Sequence, residues 1–178
     1  MDDAMMRNCA VCGQEYDGQP EYCSQNCQAS MQDAVQWINE ALVTPPNEDK
    51  RVFFYDVGFG RLCDLFIIYL LKLSKQKSLK ERREIDFHLD RIGSAIVTKL
   101  NKIFLDRGLS EGISTLFFRL YQADARMWTA RTRAVTSTED DSFIKAAGDY
   151  FDQSTARDGI INELDMLVEG RIRPGRVY

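Results

Sequence analysis

The sequence predicts a mainly α-helical body preceded by a small metal-bound module, and three observations carry that prediction. Apolar residues recur at steps of three and four from residue 24 almost to the end of the chain, the period of an amphipathic helix. Four of the five cysteines fall within the first 27 residues. The chain has 178 residues, 44% of them hydrophobic, enough for one core of ordinary size beside such a module.

Cys9, Cys12, Cys23 and Cys27 follow the pattern C-x2-C, ten residues, then C-x3-C. Two close pairs across a short loop bring four thiolates to the corners of a tetrahedron, the arrangement zinc prefers, and four protein ligands leave no open position for chemistry. One structural Zn2+ is therefore expected. Gly13 after Cys12 suits a tight knuckle, because glycine tolerates positive φ. Residues 16–20, Tyr-Asp-Gly-Gln-Pro, have turn chemistry and are expected to close a short hairpin. Ser24 is a good N-cap and would place Cys27 in the first helical turn, where the positive helix end faces the thiolates. Knuckle, hairpin and helix together describe a treble-clef finger. The competing reading is a redox pair or disulfides. Residues 1–8 are acidic and polar, with neither the basic nor the apolar segment of a secretory signal. An intracellular chain, in cytoplasm, nucleus or a virion, is expected to keep its thiols reduced and so favours metal.

The phrase Cys9-x-x-Cys12-Gly13 with Tyr22-Cys23-Ser24-x-x-Cys27 resembles the short FCS/MYM-type zinc fingers and part of a MYND finger. The resemblance spans residues 9–30. MYND fingers need further Cys and His ligands that this chain lacks, so one metal site is implied. Such fingers occur in eukaryotic proteins and in proteins of large DNA viruses, and they usually act in protein–protein contact; a viral structural component is one option the resemblance implies.

The expected organisation is a finger running into its helix over 1–43, a linker with a short irregular or strand segment over 44–59, a helical domain over 60–169, and a basic tail over 170–178. Met31, Val35, Ile38 and Leu42 mark the buried face of the first helix, which ends before Pro45-Pro46. Residues 60–76 form the next helix around the run Leu65–Leu71, too short to span a membrane. Ser78-Leu79-Lys80-Glu81 matches a capping box. It opens a helix with Ile85, Leu89, Ile92, Ile96, Leu100 and Ile103 on one face, closed by Gly108 at C′. A fourth helix starts at Ser110 and reaches Trp128. A fifth starts after Thr138 and holds Phe143, Ala147, Tyr150 and Phe151; a sixth runs over about 155–169 and closes at Gly170. Short joints between successive helices favour an antiparallel, bundle-like domain.

Net charge is −4, but it is blocked. Residues 1–49 carry one base and nine acids (−8), residues 50–133 seventeen bases and nine acids (+8), residues 134–169 two bases and nine acids (−7), and the tail three arginines. The blocks either meet within one molecule or join copies of this chain to one another. The acidic finger is a poor candidate for phosphate contact. Nucleic-acid binding, the alternative function, would use Lys72, Lys75, Lys77, Lys80, Arg82 and Arg83 with the tail's Arg171, Arg173 and Arg176. Those arginines and Trp37 are also candidate protein-interface residues; for Trp37, core or boundary packing is the plainer reading.

Catalysis is not expected. No Walker loop, HExxH, GxSxG or dinucleotide fingerprint is present, and Gly58-Phe59-Gly60 lacks a third glycine. His88, the single histidine, lies off the apolar stripe, and Cys63 reads as a small buried hydrophobe. Asp149, Asp152 and Asp158 lack calcium-loop spacing. The sequence thus points to a non-enzymatic zinc-binding structural or adaptor protein whose partners are other proteins, with copies of itself among them.

Overall fold

A computed structural model of the chain describes residues 6–9, 15–17, 24–43, 57–76, 78–101, 103 and 107–170. These residues are mainly helical. Two short antiparallel strands, β1 (Met6–Asn8) and β2 (Glu15–Asp17), precede five helices: α1 (Gln25–Val43), α2 (Phe59–Lys75), α3 (Leu79–Leu100), α4 (Arg107–Thr136) and α5 (Asp140–Glu169). Arg7 pairs with Tyr16 in the strand register. Tyr16 and Asp17 of the expected turn at 16–20 are therefore strand residues, and residues 18–20 lie outside the described residues.

Ser24 begins α1 as expected: its Oγ accepts the Cys27 N–H at 3.2 Å, satisfying one of the donors that a helix start leaves without a partner. The seam of α1 is Ala34, Ile38 and Ala41, not the full stripe of larger residues. Small side chains let the helix approach its neighbours, while Met31 and Leu42 flank the contact. Val35 instead lines an outer depression with Met31 and Gln32. Trp37 stacks on Phe66 of α2 at 3.8 Å between ring centroids, and Gly93 of α3 leaves room for both rings. α1 is thus part of the helical core.

α2 buries Phe59, Leu62, Cys63, Phe66, Ile67 and Leu71. α3 turns Ile85, Ile92, Ile96 and Leu100 inward. Ser78 is its N-cap but makes no side-chain capping bond, so the capping box is present in sequence and unformed in structure. α3 stops at Leu100 rather than running to Gly108. Ile103 keeps its apolar contact outside the helix, its N–H donating to the Leu100 carbonyl at 3.2 Å. An apolar residue in phase with a helix can reach the core from the turn that follows it. Gly108 lies inside α4, which begins before Ser110 and runs past Trp128.

The expected fifth and sixth helices are one. α5 is a single 30-residue helix. The join expected near residue 155 contains no proline, and the Thr155 hydroxyl donates to the Phe151 carbonyl at 3.1 Å, taking a helical partner instead of breaking the helix. Gly170 ends α5 as expected, with φ of 66° and its N–H on the Met166 carbonyl. α4 and α5 form a hairpin with helices roughly 45 Å long. Its inner half contributes Ile113, Phe117, Leu120, Tyr121, Ile160, Ile161 and Leu164 to the core.

α2 and α5 run antiparallel, because Gly60 meets Asp165 and Asp64 meets Arg157. A Cβ on Gly60 would collide with the Ile161 carbonyl of α5, whereas one on Gly159 would meet open space. Gly60→Ala is expected to destabilise the fold by about 1–3 kcal/mol through overpacking. Gly159→Ala, in the middle of the same helix pair's other member, is expected to stabilise by roughly 0.5–1 kcal/mol through helix propensity. Urea unfolding of the two variants measures both signs.

Candidate functional site

Two of the four proposed zinc ligands fall within the described residues. Cys9 directly follows β1 and is fully buried; Cys27 lies in the first turn of α1 and packs against the same core. Cys12 and Cys23 lie outside the described residues. Among those described, no group of three or more Cys, His, Asp or Glu gathers as a metal site. Cys27 sits at a helix N-terminus, where the helix dipole favours negative charge, and Ser24 holds its backbone N–H.

The described basic candidates lie at the end of α2 and the start of α3. Lys72 lies over the Tyr69 ring at 4.9 Å and Lys75 over the Trp128 ring at 4.6 Å. Lys80, Arg82 and Arg83 are exposed on the first turns of α3. Lys77, Arg171, Arg173 and Arg176 lie outside the described residues. Trp37 is half-buried, its ring stacked inside the molecule on Phe66.

Cys63 and His88 are kept apart. His88 is exposed and stacks on Tyr69 at 4.8 Å, while Cys63 is wholly buried. Burial first, then the nearby charges of Asp165 and Asp64, push the Cys63 thiol well up, so it stays protonated. Among the described residues, no helix is long and apolar enough to cross a membrane.

What the sequence reading missed is a buried polar cluster where α2, α4 and α5 meet. Asp64, Asp124 and Asp165 are the buried charged residues of the described core. Arg157 of α5 reaches both Asp64 Oδ1, at 2.5 Å, and Asp124 Oδ1, at 2.9 Å. Arg61 closes on Asp64 Oδ2 at 2.6 Å from the half-exposed side. Asp165 accepts the Gly60 N–H at 2.6 Å, and Glu169 accepts the Phe59 N–H at 3.0 Å. Glu169 also holds Lys99 of α3 at 2.6 Å. The signal was present in the sequence: Asp124 continues the buried stripe of Phe117, Leu120 and Tyr121, and Arg157 and Asp165 fall in step with Ile161 and Leu164.

The cluster is short of positive charge. Burial raises the Asp64 pKa against the pull of Arg157 and Arg61. Asp124 is pushed up further, by burial and then by the charge of Asp64, against Arg157. Its Oδ2 is buried and makes no hydrogen bond among the described residues. Burial works against the Arg157 charge, but Asp64 and Asp124 outweigh it and hold the guanidinium ionised. The geometry suits structure, because Arg157 is taken up between Asp64 and Asp124 and the described cavities lie elsewhere on the surface.

No family model matches this chain, and neither a curated protein nor a solved structure matches it.

An acid whose folded pKa lies above its unfolded value contributes its full stability below the unfolded pKa. That contribution is lost as pH rises through the folded value. For Asp124 and Asp64 the loss begins near the ordinary carboxylate value of 3.8 and extends upward. Chemical unfolding between about pH 4 and pH 8 is expected to show stability falling with pH on account of these groups. Asp124→Asn is expected to flatten the slope; an unchanged slope would show Asp124 ionised throughout. Arg157→Met, which leaves two buried carboxylates without their shared partner, is expected to cost about 3–5 kcal/mol at neutral pH.

Proposed function

We propose that this chain is a non-enzymatic, zinc-stapled adaptor or structural component that joins proteins in a larger assembly. One Zn2+ would be held by Cys9, Cys12, Cys23 and Cys27, and its role would be to fold the N-terminal module onto the helical core. The observation that carries the reading is the pairing of the cysteines, C-x2-C and C-x3-C ten residues apart. The burial of Cys9 against the helical core and the capping of Cys27 by Ser24 support it. A segment as short as residues 6–27 cannot bury a core of its own, so metal binding supplies its folding free energy, on the order of 10 kcal/mol.

Four cysteine ligands would saturate the metal, which leaves it no catalytic position. The resemblance of residues 9–30 to FCS/MYM-type fingers adds the expectation of protein partners. The helical body supports the same class of function through what it exposes: Leu79, Phe87, Val135, Phe143, Ile144 and Phe151 are all more than half exposed. Of these, Phe143, Ile144 and Phe151 stand within about two turns of α5, and apolar side chains grouped in this way favour a contact surface.

Metal analysis of protein purified without chelator is expected to give one zinc per chain. Cys23→Ser is expected to abolish stoichiometric zinc and to lower the melting temperature. Unchanged metal content and unchanged melting in that variant would overturn the reading, as would wild-type protein with no metal and oxidised cysteines.

A further inference from the structure

Ser137, Thr138 and Glu139 connect α4 to α5 and form the tip of their hairpin. The outer half of α5 places only Ala146 in the core. Residues 138–145 are all exposed, as are Arg133, Val135 and Thr136 at the end of α4. The tip is therefore open to another protein.

Two hydroxyls in this connection are followed by a run of carboxylates. Glu139, Asp140 and Asp141 stand two, three and four residues after Ser137, and one, two and three after Thr138. Glu139 has φ of −111° and ψ of 134°, so the chain is extended where the acids begin. The neighbouring hydroxyls are set apart. Thr136 Oγ1 donates to the Thr132 carbonyl at 2.9 Å from within α4, and Ser142 is followed three residues on by Lys145 instead of an acid.

The surroundings separate Ser137 from Thr138. Ser137 lines a depression with Arg133 from the last turn of α4 and Lys145 from the second turn of α5; Thr138 does not line it. Ser137 Oγ donates a long hydrogen bond, 3.3 Å, to the Glu139 carbonyl, which the Phe143 N–H already uses at 3.0 Å. Little energy is lost when that hydroxyl is taken for another bond.

We propose that Ser137 is a phosphorylation site for an acidophilic serine/threonine kinase, and that Arg133 and Lys145 receive its phosphate. Such kinases select substrates by charge pattern, reading carboxylates that follow the acceptor. In the transfer, Ser137 Oγ attacks the γ-phosphorus of a nucleoside triphosphate and the bond from that phosphorus to the β,γ-bridging oxygen breaks. The nucleoside diphosphate leaves with the electron pair, and the hydroxyl proton passes to the kinase's catalytic carboxylate. The product carries close to two negative charges. Around the depression, Arg133 and Lys145 stand against Asp149 and against Asp141, which lies one turn before Lys145 on the same side of α5. Glu139 and Asp140 are exposed and do not line it. Net charge is thus even, and what favours the phosphate is contact, because only the two cations can donate hydrogen bonds to it and join α4 to α5 through it. Modification also changes the charge beside Phe143 and Ile144, the start of the exposed apolar surface of α5. This inference rests on the hairpin tip and on neither the zinc nor the adaptor reading.

The test incubates the full chain with a casein-kinase-type acidophilic kinase and a nucleoside triphosphate labelled at the γ-phosphate, then maps the label by peptide mass spectrometry. Phosphate at Ser137 is expected. Ser137→Ala is expected to abolish it, Thr138→Val to retain it, and Asp140→Asn to slow it severely. Phosphate on Thr138 instead, no incorporation, or incorporation indifferent to Asp140→Asn would overturn the assignment. Phosphorus NMR then titrates the modified protein. The second ionisation of the phosphate is expected at lower pH in wild type than in Arg133→Ala/Lys145→Ala, since both cations favour the dianion, and the difference is expected to shrink at high salt. Equal titration in the two proteins would overturn the role given to Arg133 and Lys145.

Discussion

The rest of the structure depends on how closely α2 can lie against α5. Gly60 has no side chain, so the start of α2 can approach the α5 backbone at Ile161. α2 begins with no acidic residue in its first turn and no side-chain cap at Gly58. Its leading N–H groups are satisfied instead by Asp165 and Glu169, which reach across from α5. Two turns of helix further, Arg157 fixes α2 again through Asp64. One helix therefore supplies the other with its cap, its contact surface and its ion pair. A slide of α2 by one turn would strand Asp64 beside apolar groups and separate Asp165 from the donors it satisfies.

The remaining helices are built on that pair. α3 is tied at its end through Lys99 to Glu169, the carboxylate that also caps α2. α1 lies over the group through Trp37, whose ring fills the space between Phe66 and Gly93. The module bearing the cysteines enters the same core, because Cys9 is buried in it and Cys27 starts α1. A metal bound there would brace the helix that covers α2, and the free energy of binding would reach the body by direct packing.

Much of this could be read from sequence, and what could not has a common cause. Helix phase identified the buried isoleucines of α3 and the Gly170 stop, since both depend on residues close in the chain. The Ser24 cap was legible for the same reason. The start of α2 was not, because the residues that cap it are more than one hundred positions away. The length of α5 was misjudged because the apolar stripe was read as restarting near residue 155, whereas the helix is continuous and offers the Thr155 hydroxyl a carbonyl four residues back. Apolar periodicity also extended α3 too far, since Ile103 reaches the core from a turn. The four-cysteine pattern stands out in the sequence, where spacing alone defines it; two of its members lie outside the described residues, and the helical geometry does not decide what they bind.

The buried charges explain why α5 can be so unequal along its length. Burying Asp64, Asp124 and Arg157 carries a desolvation cost that a purely apolar seam would avoid. What the cluster contributes is a fixed position along the helix. α5 has glycines at 148 and 159 with open space around both, and its outer half places only Ala146 in the core. A smooth apolar seam on such a helix would allow several alignments of α2, including ones that slide it toward Phe151 and Phe143. The arginine at residue 157 and the carboxylates at 165 and 169 exclude those alignments, because each would leave a charge or a backbone donor buried without its partner. The exposed stripe at the hairpin tip thus stays uncovered by its own α2 for the same electrostatic reason that the inner half of α5 is covered.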